Sequence, residues 1–365
     1  MDTQYITKRA RYLSAILFGL YCLVLGLLAV PAIQREFLFL HHVPMPLFPD
    51  FANPEKYGLA PFKTRNFKLN TFDGESIGAW HLLPRSTYTF LNPLPPQSAL
   101  EEDIFKQALV DRPTVIYLHG NAGSRATSHR VRGYSAFSNH LDCNVIAIDY
   151  RGYADSSGIP TEEGLVLDAK AALDYVSDTV GAEQIGEKVI LVGQSLGTWA
   201  ASGLAGLLAN QGIAPRAITL IAPFSSVAKL LTSFRLFKFI PLLGPLGRFP
   251  PIQRYLQSFL IYPFDSSFVL TNVTSPILLL HAANDDIIPH THSSYLFQSL
   301  ISPYIKNSIG TDIMQEVDYP GWGVIRSFER KGKGEVVWWE GKEGGHNRLG
   351  WAEGTLDLIA RVSGL

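Results

Sequence analysis

The sequence predicts an α/β fold, a mostly parallel sheet covered by helices, behind one N-terminal transmembrane helix. Three observations predict it. Five short β-branched runs recur at 114–120 (TVIYLHG), 144–150 (NVIAIDY), 188–194 (KVILVGQ), 217–223 (AITLIAP) and 275–282 (SPILLLHA), each followed by helix-like or loop sequence. Near-continuous apolar runs suit strands buried on both faces, and their alternation with helices argues a doubly wound sheet. A stretch at 12–34 carries no charge. The chain has 365 residues with 47% hydrophobic and 12% aromatic content, enough apolar surface to exclude disorder, while charged residues make up only 17%.

Taken in chain order, the uncharged run is long enough to cross a hydrocarbon core of about 30 Å as a helix. A signal peptide would have an apolar region of roughly 7–15 residues, and Val30-Pro31-Ala32 is a poor cleavage site. A buried core helix would show a polar face, and this run shows none. Lys8, Arg9 and Arg11 precede it, whereas Arg35 and Glu36 cancel after it. The positive-inside bias puts the N-terminus in the cytosol and the rest across the membrane, in a single-pass arrangement. Residues 1–34 are therefore expected as N-terminus and anchor, and 35–62 as a juxtamembrane linker. Five prolines between Pro44 and Pro61 argue against helix in that linker. The next residues alternate about the turn Asp73-Gly74, a hairpin signal. Residues 92–111 read as an insertion containing Pro93, Pro95 and Pro96. Beyond the five apolar runs, 334–340 (GEVVWWE) is one more strand, and 351–363 is a final helix with Trp351, Leu358, Ile359 and Val362 on its apolar side. There are no internal repeats.

Charge and cysteine content exclude other classes. Lys plus Arg is 31 and Asp plus Glu is 32, for a net charge of −1, so no nucleic-acid partner is expected. Cys22 and Cys143 offer neither a disulfide framework nor a cysteine metal site.

The chemistry centres on Gly193-Gln194-Ser195-Leu196-Gly197. It follows the strand-like VILV and opens a small-residue helix, the context that a G-x-S-x-G elbow requires. A sharp turn there lifts Ser195 above the sheet, and both glycines avoid collision with neighbouring backbone. The competing reading, a chance pentapeptide, lacks that context. A serine nucleophile needs an acid and a base in the order Ser, Asp, His. The strand ILLLHA runs into Asp285 and Asp286. Asp285 is the preferred orienting acid and Asp286 its competitor; a solvated turn or helix cap is the bland alternative. His346, in Gly344-Gly345-His346-Asn347, is the base that satisfies both chain order and strand-to-helix context, set against an ordinary surface-loop histidine. The stretch His119-Gly120-Asn121-Ala122-Gly123 has the form of a loop that supplies an oxyanion-hole amide, which makes Asn121 and Leu196 the expected main-chain donors and His119 a support for the loop. His41, His42, His281, His290 and His292 show no known ligand spacing, so no metal and no cofactor are expected.

These motifs, with DYRGYADSSG at 149–158 and HAANDDIIP at 281–289, resemble the α/β-hydrolase superfamily over residues 63–365. With one N-terminal span, the chain is most similar to the abhydrolase domain-containing protein twelve group of membrane serine hydrolases. The resemblance implies an α/β-hydrolase fold with a helical cap, and a monoacylglycerol or lysophospholipid lipase facing the lumen of the endoplasmic reticulum. It also implies Ser195 as nucleophile, Asp285 as acid and His346 as base. One departure is a long Gly- and charge-rich insertion at 302–333 between the acid and the histidine.

The cap is expected at about 224–272. Lys229, Arg235, Lys238, Arg248 and Arg254 lie among Phe, Leu, Ile and Tyr, with no acid before Asp265. Phe234, Phe237 and Phe239 with Arg235 and Lys238 are its densest part. Such composition suits an element resting in a headgroup interface and roofing an acyl pocket, or else an ordinary packed cap. The expectation is a membrane-anchored serine esterase acting on lipid esters. A protein depalmitoylase, a peptidase, or a non-catalytic tethered interaction protein are the rivals.

Overall fold

In the computed structural model, residues 3–236, 240–305 and 313–365 are described. Helix α1 (Thr3–Leu28) and helix α2 (Pro31–Phe39) precede the sheet. The apolar run at 12–34 is thus divided: Pro31 has no amide hydrogen to continue α1 and instead stands at the first position of α2. The window Thr7–Leu28 of α1 has a mean hydropathy of 1.9 and none of it is buried, so by length and composition it can cross a membrane. The prolines of the following linker admit only a single 3₁₀ turn, Pro54–Tyr57.

Strands β1 (Thr64–Asn70) and β2 (Ser76–Leu82) form the expected hairpin. Helix α3 (Arg85–Thr89) follows the hairpin, and the stretch read as an insertion at 92–111 then holds helix α4 (Glu102–Asp111). The core alternation is β3 (Thr114–Leu118), α5 (Ser128–His140), β4 (Asn144–Ile148), α6 (Glu162–Val180), the short α7 (Ile185–Lys188), β5 (Val189–Gln194), α8 (Gly197–Asn210) and β6 (Ala217–Ile221). The cap region carries α9 (Val227–Ser233), a two-stranded hairpin β7 (Arg235–Leu236) and β8 (Ile240–Pro241), α10 (Pro250–Gln257) and α11 (Ser266–Val269). Phe237, Lys238 and Phe239 of the expected basic and aromatic cluster lie outside the described residues. The chain continues with β9 (Ile277–Ala282), α12 (Thr291–Ile305), β10 (Gln315–Tyr319), β11 (Gly323–Phe328), β12 (Val336–Gly341) and α13 (Glu353–Ser363).

One ten-stranded sheet runs β1-β2-β4-β3-β5-β6-β9-β12-β11-β10. From β4 to β12 every pairing is parallel, and both edges are antiparallel. Every residue of β3, β4, β5, β6 and β9 is buried, as strands covered on both faces require. Alternate side chains enter opposite cores. Ile116 and Leu118 join Leu165, Leu204 and Phe297 beneath α6, α8 and α12. Val115 and Tyr117 join Tyr134, Phe137 and Ile359 beneath α5 and α13. The stretch expected as an insertion at 302–333 holds β10 and β11, which extend the sheet beyond β12. Its seven residues at 306–312 lie outside the described residues.

Side chains of α1 and α2 contact the cap region. Gln34 is 3% exposed; its amide donates to Phe259 O (2.7 Å) and its carbonyl accepts from Ile261 N (3.1 Å). Phe37 packs edge-on against Phe234 of the cap at 6.0 Å. Tyr21, near the end of α1, donates to Leu242 O.

Candidate active site

Ser195 sits between β5 and α8 with φ +52°, a left-handed conformation that a non-glycine residue adopts only when its surroundings enforce it. Its amide donates to Ile221 O (2.9 Å), and its carbonyl accepts from Thr198 N (2.9 Å) and Thr198 Oγ1 (2.6 Å), so the turn is held on both sides. A Cβ at Gly193 would strike the backbone of Gly197, and one at Gly197 would strike Leu118 O. This is the physical reason for glycine at both positions. Ser195 is 8% exposed.

Asp285 and His346 meet across the carboxyl ends of β9 and β12. His346 Nδ1 lies 2.8 Å from Asp285 Oδ2. A carboxylate only accepts, so Nδ1–H is the donor and Nε2 is left as a base. The other oxygen, Oδ1, accepts the amides of Ile287 (2.9 Å) and Ile288 (3.0 Å). His281 reinforces the acid from below: its Nε2 donates to Ile288 O (2.9 Å) and lies 3.3 Å from Asp285 Oδ2. Burial would raise the carboxyl pKa of Asp285, but the hydrogen bonds from His281 and His346 outweigh it and hold the group below the usual carboxylate range. The competitor Asp286 is exposed.

Two residues that sequence reasoning passed over join the pieces. Gln194, the variable residue before Ser195, accepts from Tyr117 Oη and donates Nε2 to His346 O and Asn347 Oδ1, each at 3.3 Å. It thereby holds the histidine loop beside the elbow. Asn284 accepts from Gly345 N (2.9 Å) and donates to Glu343, binding the acid loop to the histidine loop. Neither carries a motif signal, since an amide in either place is unremarkable in one dimension. His129 is a third: burial first, then the charge of Arg130 and the nearby His346, lower its pKa to about 3, so it is neutral beside the site.

Asn121, Ser195 and Leu196 line one cavity of about 330 Å³. Its walls are apolar: Phe37, Leu38 and Leu40 from the end of α2, Val227, Leu230, Leu231 and Phe234 from the cap, with Phe224, Phe264, Ile287 and Ile288. Among the described residues, the N–H groups of Asn121 and Leu196 donate to no main-chain carbonyl. His119 is fully buried, with Nδ1 2.6 Å from Gly120 O, where it supports the loop as expected. A larger groove of about 630 Å³ lies among α6, α8 and α11 and contains none of these residues. Glu36, His41 and His42 come together with their ligating atoms within 4.8 Å of one another, a juxtaposition that their spacing does not announce. Within it, His42 Nδ1 lies 2.9 Å from Glu36 Oε2, a hydrogen-bond distance.

Comparison with known proteins accords with this architecture. Residues 115–304 match the alpha/beta hydrolase family. The chain belongs to that family. Among its relatives are the lysophosphatidylserine lipase ABHD12 of Danio rerio, 30% identical over 292 residues (77% of this chain, 70% of the relative), and that of Xenopus tropicalis, 32% identical over 296 residues (77% and 69%). Protein ABHD12B of Homo sapiens is 32% identical over 267 residues (71% and 67%). Among solved structures, an alpha-beta hydrolase from Vibrio vulnificus shares the fold with a TM-score of 0.54 at 18% identity, over 75% of this chain and 83% of that one.

Proposed function

We propose that this protein is a membrane-anchored serine hydrolase that cleaves carboxylic esters of lipids, of monoacylglycerol or lysophospholipid type. The observation that carries the reading is the pairing of His346 with Asp285 at 2.8 Å, held by Gln194 against the strained turn of Ser195. His346 Nε2 takes the Ser195 proton as Oγ attacks the acyl carbon. Asp285 holds the imidazole in its tautomer and stabilises the imidazolium. The amides of Asn121 and Leu196 receive the oxyanion. His346 returns the proton to the leaving alcohol, and water then cleaves the acyl-enzyme by the same route. No cofactor enters these steps.

The lipid assignment draws support from three features. Relatives bear the name lysophosphatidylserine lipase. The cavity at Ser195 is apolar, and its wall includes the segment that leaves α1. On the cap, Phe249, Ile252, Tyr255, Phe259 and Ile261 are exposed by 41–65% beside Arg248 and Arg254, a composition suited to a headgroup interface. The division into anchor (1–34), linker (35–62) and catalytic domain (63–365, cap about 224–272) belongs to the same proposal.

The test is Ser195→Ala in detergent-solubilised protein. Turnover of a lipid ester panel is expected to fall by about 10³ or more, and labelling by a fluorophosphonate probe is expected to vanish, with the melting curve unchanged. Near-wild-type turnover in that variant would falsify the serine mechanism.

A further inference from the structure

The Asn121 amide can serve an oxyanion in only one of the two orientations of the Gly120–Asn121 peptide. Turned over, that peptide would present a carbonyl where a donor is needed. Glycine at 120 puts no side chain in the way of such a rotation. Ala122 (φ +56°) and Gly123 (φ +61°) that follow are both left-handed, so the loop has no regular secondary structure to orient it.

Arg130, in the first turn of α5 and 2% exposed, supplies the orientation. Its Nη2 donates to Gly120 O (3.1 Å), Asn121 O (3.1 Å) and Ala122 O (2.8 Å), and its Nη1 to Ser124 O (2.9 Å). His119 Nδ1 provides a second donor to Gly120 O. In a trans peptide, N–H and C=O point in opposite directions. Gathering three consecutive carbonyls on one guanidinium therefore turns three consecutive N–H groups away from it. The juxtamembrane segment takes two of them: Ala122 N donates to Phe39 O (3.0 Å) and Gly123 N to Val43 O (2.9 Å). Among the described residues, the remaining one, Asn121 N, has no main-chain partner, and Asn121 lines the cavity of Ser195. Among the described residues, Arg130 also has no carboxylate within ion-pair distance, so its charge rests against carbonyl dipoles alone.

We propose that Arg130 is a positioning residue for the oxyanion hole: it locks the Gly120–Asn121 peptide with its N–H toward the reacting carbonyl, and its unpaired charge polarises that peptide toward the developing oxyanion. This rests on the serine-hydrolase reading and deepens it. A guanidinium is required because one planar fork must serve four carbonyls at fixed angles, which an ammonium cannot do.

The test compares Arg130→Lys and Arg130→Met with wild type in the full-length, detergent-solubilised protein. With a short soluble ester, Arg130→Met should lower kcat by about 10²–10³, the size of a lost oxyanion donor, with KM within about twofold. Arg130→Lys should fall between. Affinity for an alkyl boronic acid, which forms a tetrahedral adduct on serine, should drop by a factor similar to kcat. Affinity for a non-hydrolysable ether lipid should hold. A merely structural arginine predicts that both ligands weaken together, or that KM changes alone; either result overturns the proposal, as does wild-type kcat in Arg130→Met. Should the arginine variants fail to melt cooperatively, His119→Phe removes the other donor to Gly120 O and should show the same selective loss at smaller size. Unchanged kcat and boronate affinity there would overturn the orientation mechanism. The two readings fail separately. Wild-type protein that a fluorophosphonate does not label sinks the serine-hydrolase reading, whereas labelled wild type with equally reactive Arg130 variants sinks only this inference.

Discussion

At the scale of single residues, the acid is the sharpest case. Asp285 and Asp286 are adjacent and chemically identical, and only their surroundings differ. Asp285 accepts two amides and faces two imidazoles, while Asp286 is exposed. Asp285→Asn should leave His346 in the wrong tautomer and cut kcat severely, by about 10³–10⁴ if the group acts as in a serine triad. Asp286→Asn should cost far less. A reversed ranking in steady-state kinetics would make Asp286 the orienting acid. The Asp285 carboxyl also links to pH. Its folded pKa lies below the unfolded value of roughly 3.9, so its stabilising contribution is complete above that value and is lost as pH falls below it.

At the scale of elements, what matters is how the cap is tied down. His292, on α12, receives Ser225 N at 3.3 Å on Nδ1 and lies 3.1 Å from Ser233 Oγ on Nε2, bridging the end of β6 to α9. Burial, then nearby His281 and Lys229, lower its pKa to about 4. An Nδ1 that accepts an amide cannot also carry a proton. Its folded pKa is below the unfolded value of roughly 6.5, so the bridge is fully stabilising above pH 6.5 and is lost as pH falls toward 4. Limited proteolysis within 224–272 should therefore accelerate across that window in wild type. In His292→Gln that pH dependence should flatten; an unchanged profile would show that other groups hold the cap. On the opposite side, Gln34 bridges Phe259 and Ile261. Gln34→Ala removes both hydrogen bonds from the part-buried Phe259 carbonyl and Ile261 amide, a net loss of about 1 kcal/mol each. Long-chain ester hydrolysis should fall more than short-chain hydrolysis, because α2 and the cap together wall the apolar cavity at Ser195. Equal loss of both would mean that the bridge serves stability alone.

For the whole molecule, the proposed membrane anchoring makes a prediction about which side of a membrane the sheet occupies. Lys8, Arg9 and Arg11 flank one end of α1, and under the proposal the positive-inside bias would put that end in the cytosol. The catalytic domain of intact microsomes should then resist added protease until detergent is supplied. Digestion without detergent would place it on the cytosolic side and end the lumenal assignment. Asn272, in the sequon Asn272-Val273-Thr274, is exposed, so glycosidase-sensitive mobility should accompany protection. Ala122 and Gly123 donate to Phe39 at the end of α2 and to Val43 just beyond it, which under the proposal connects the anchor to the oxyanion loop. Removal of residues 1–34 should for that reason leave a functional loop, whereas removal through Val43 should not; kcat of the two truncations decides it.

The central strands and the elbow were legible in one dimension because their signals are local. A buried parallel strand is a continuous apolar run, and a G-x-S-x-G turn carries its own strand and helix on either side. For the same reason Ser195, Asp285, His346, Asn121 and Leu196 could be proposed as site residues from chain order and context. The edge strands β10 and β11 could not, since β10 is exposed throughout and carries no burial pattern. The break at Pro31 was visible as a residue, yet the uncharged run around it masked its consequence. The sequence by itself determined the parallel core, the apolar N-terminal helix and the chemical groups of the candidate triad, because covalent spacing and burial pattern encode those. Only the tertiary structure decided that Gln194 and Asn284 hold the loops together, that His281 backs Asp285, and that Arg130 collects the carbonyls of the oxyanion loop. Each of those is a hydrogen bond between segments whose approach depends on how the whole sheet is assembled, and no local pattern carries that information.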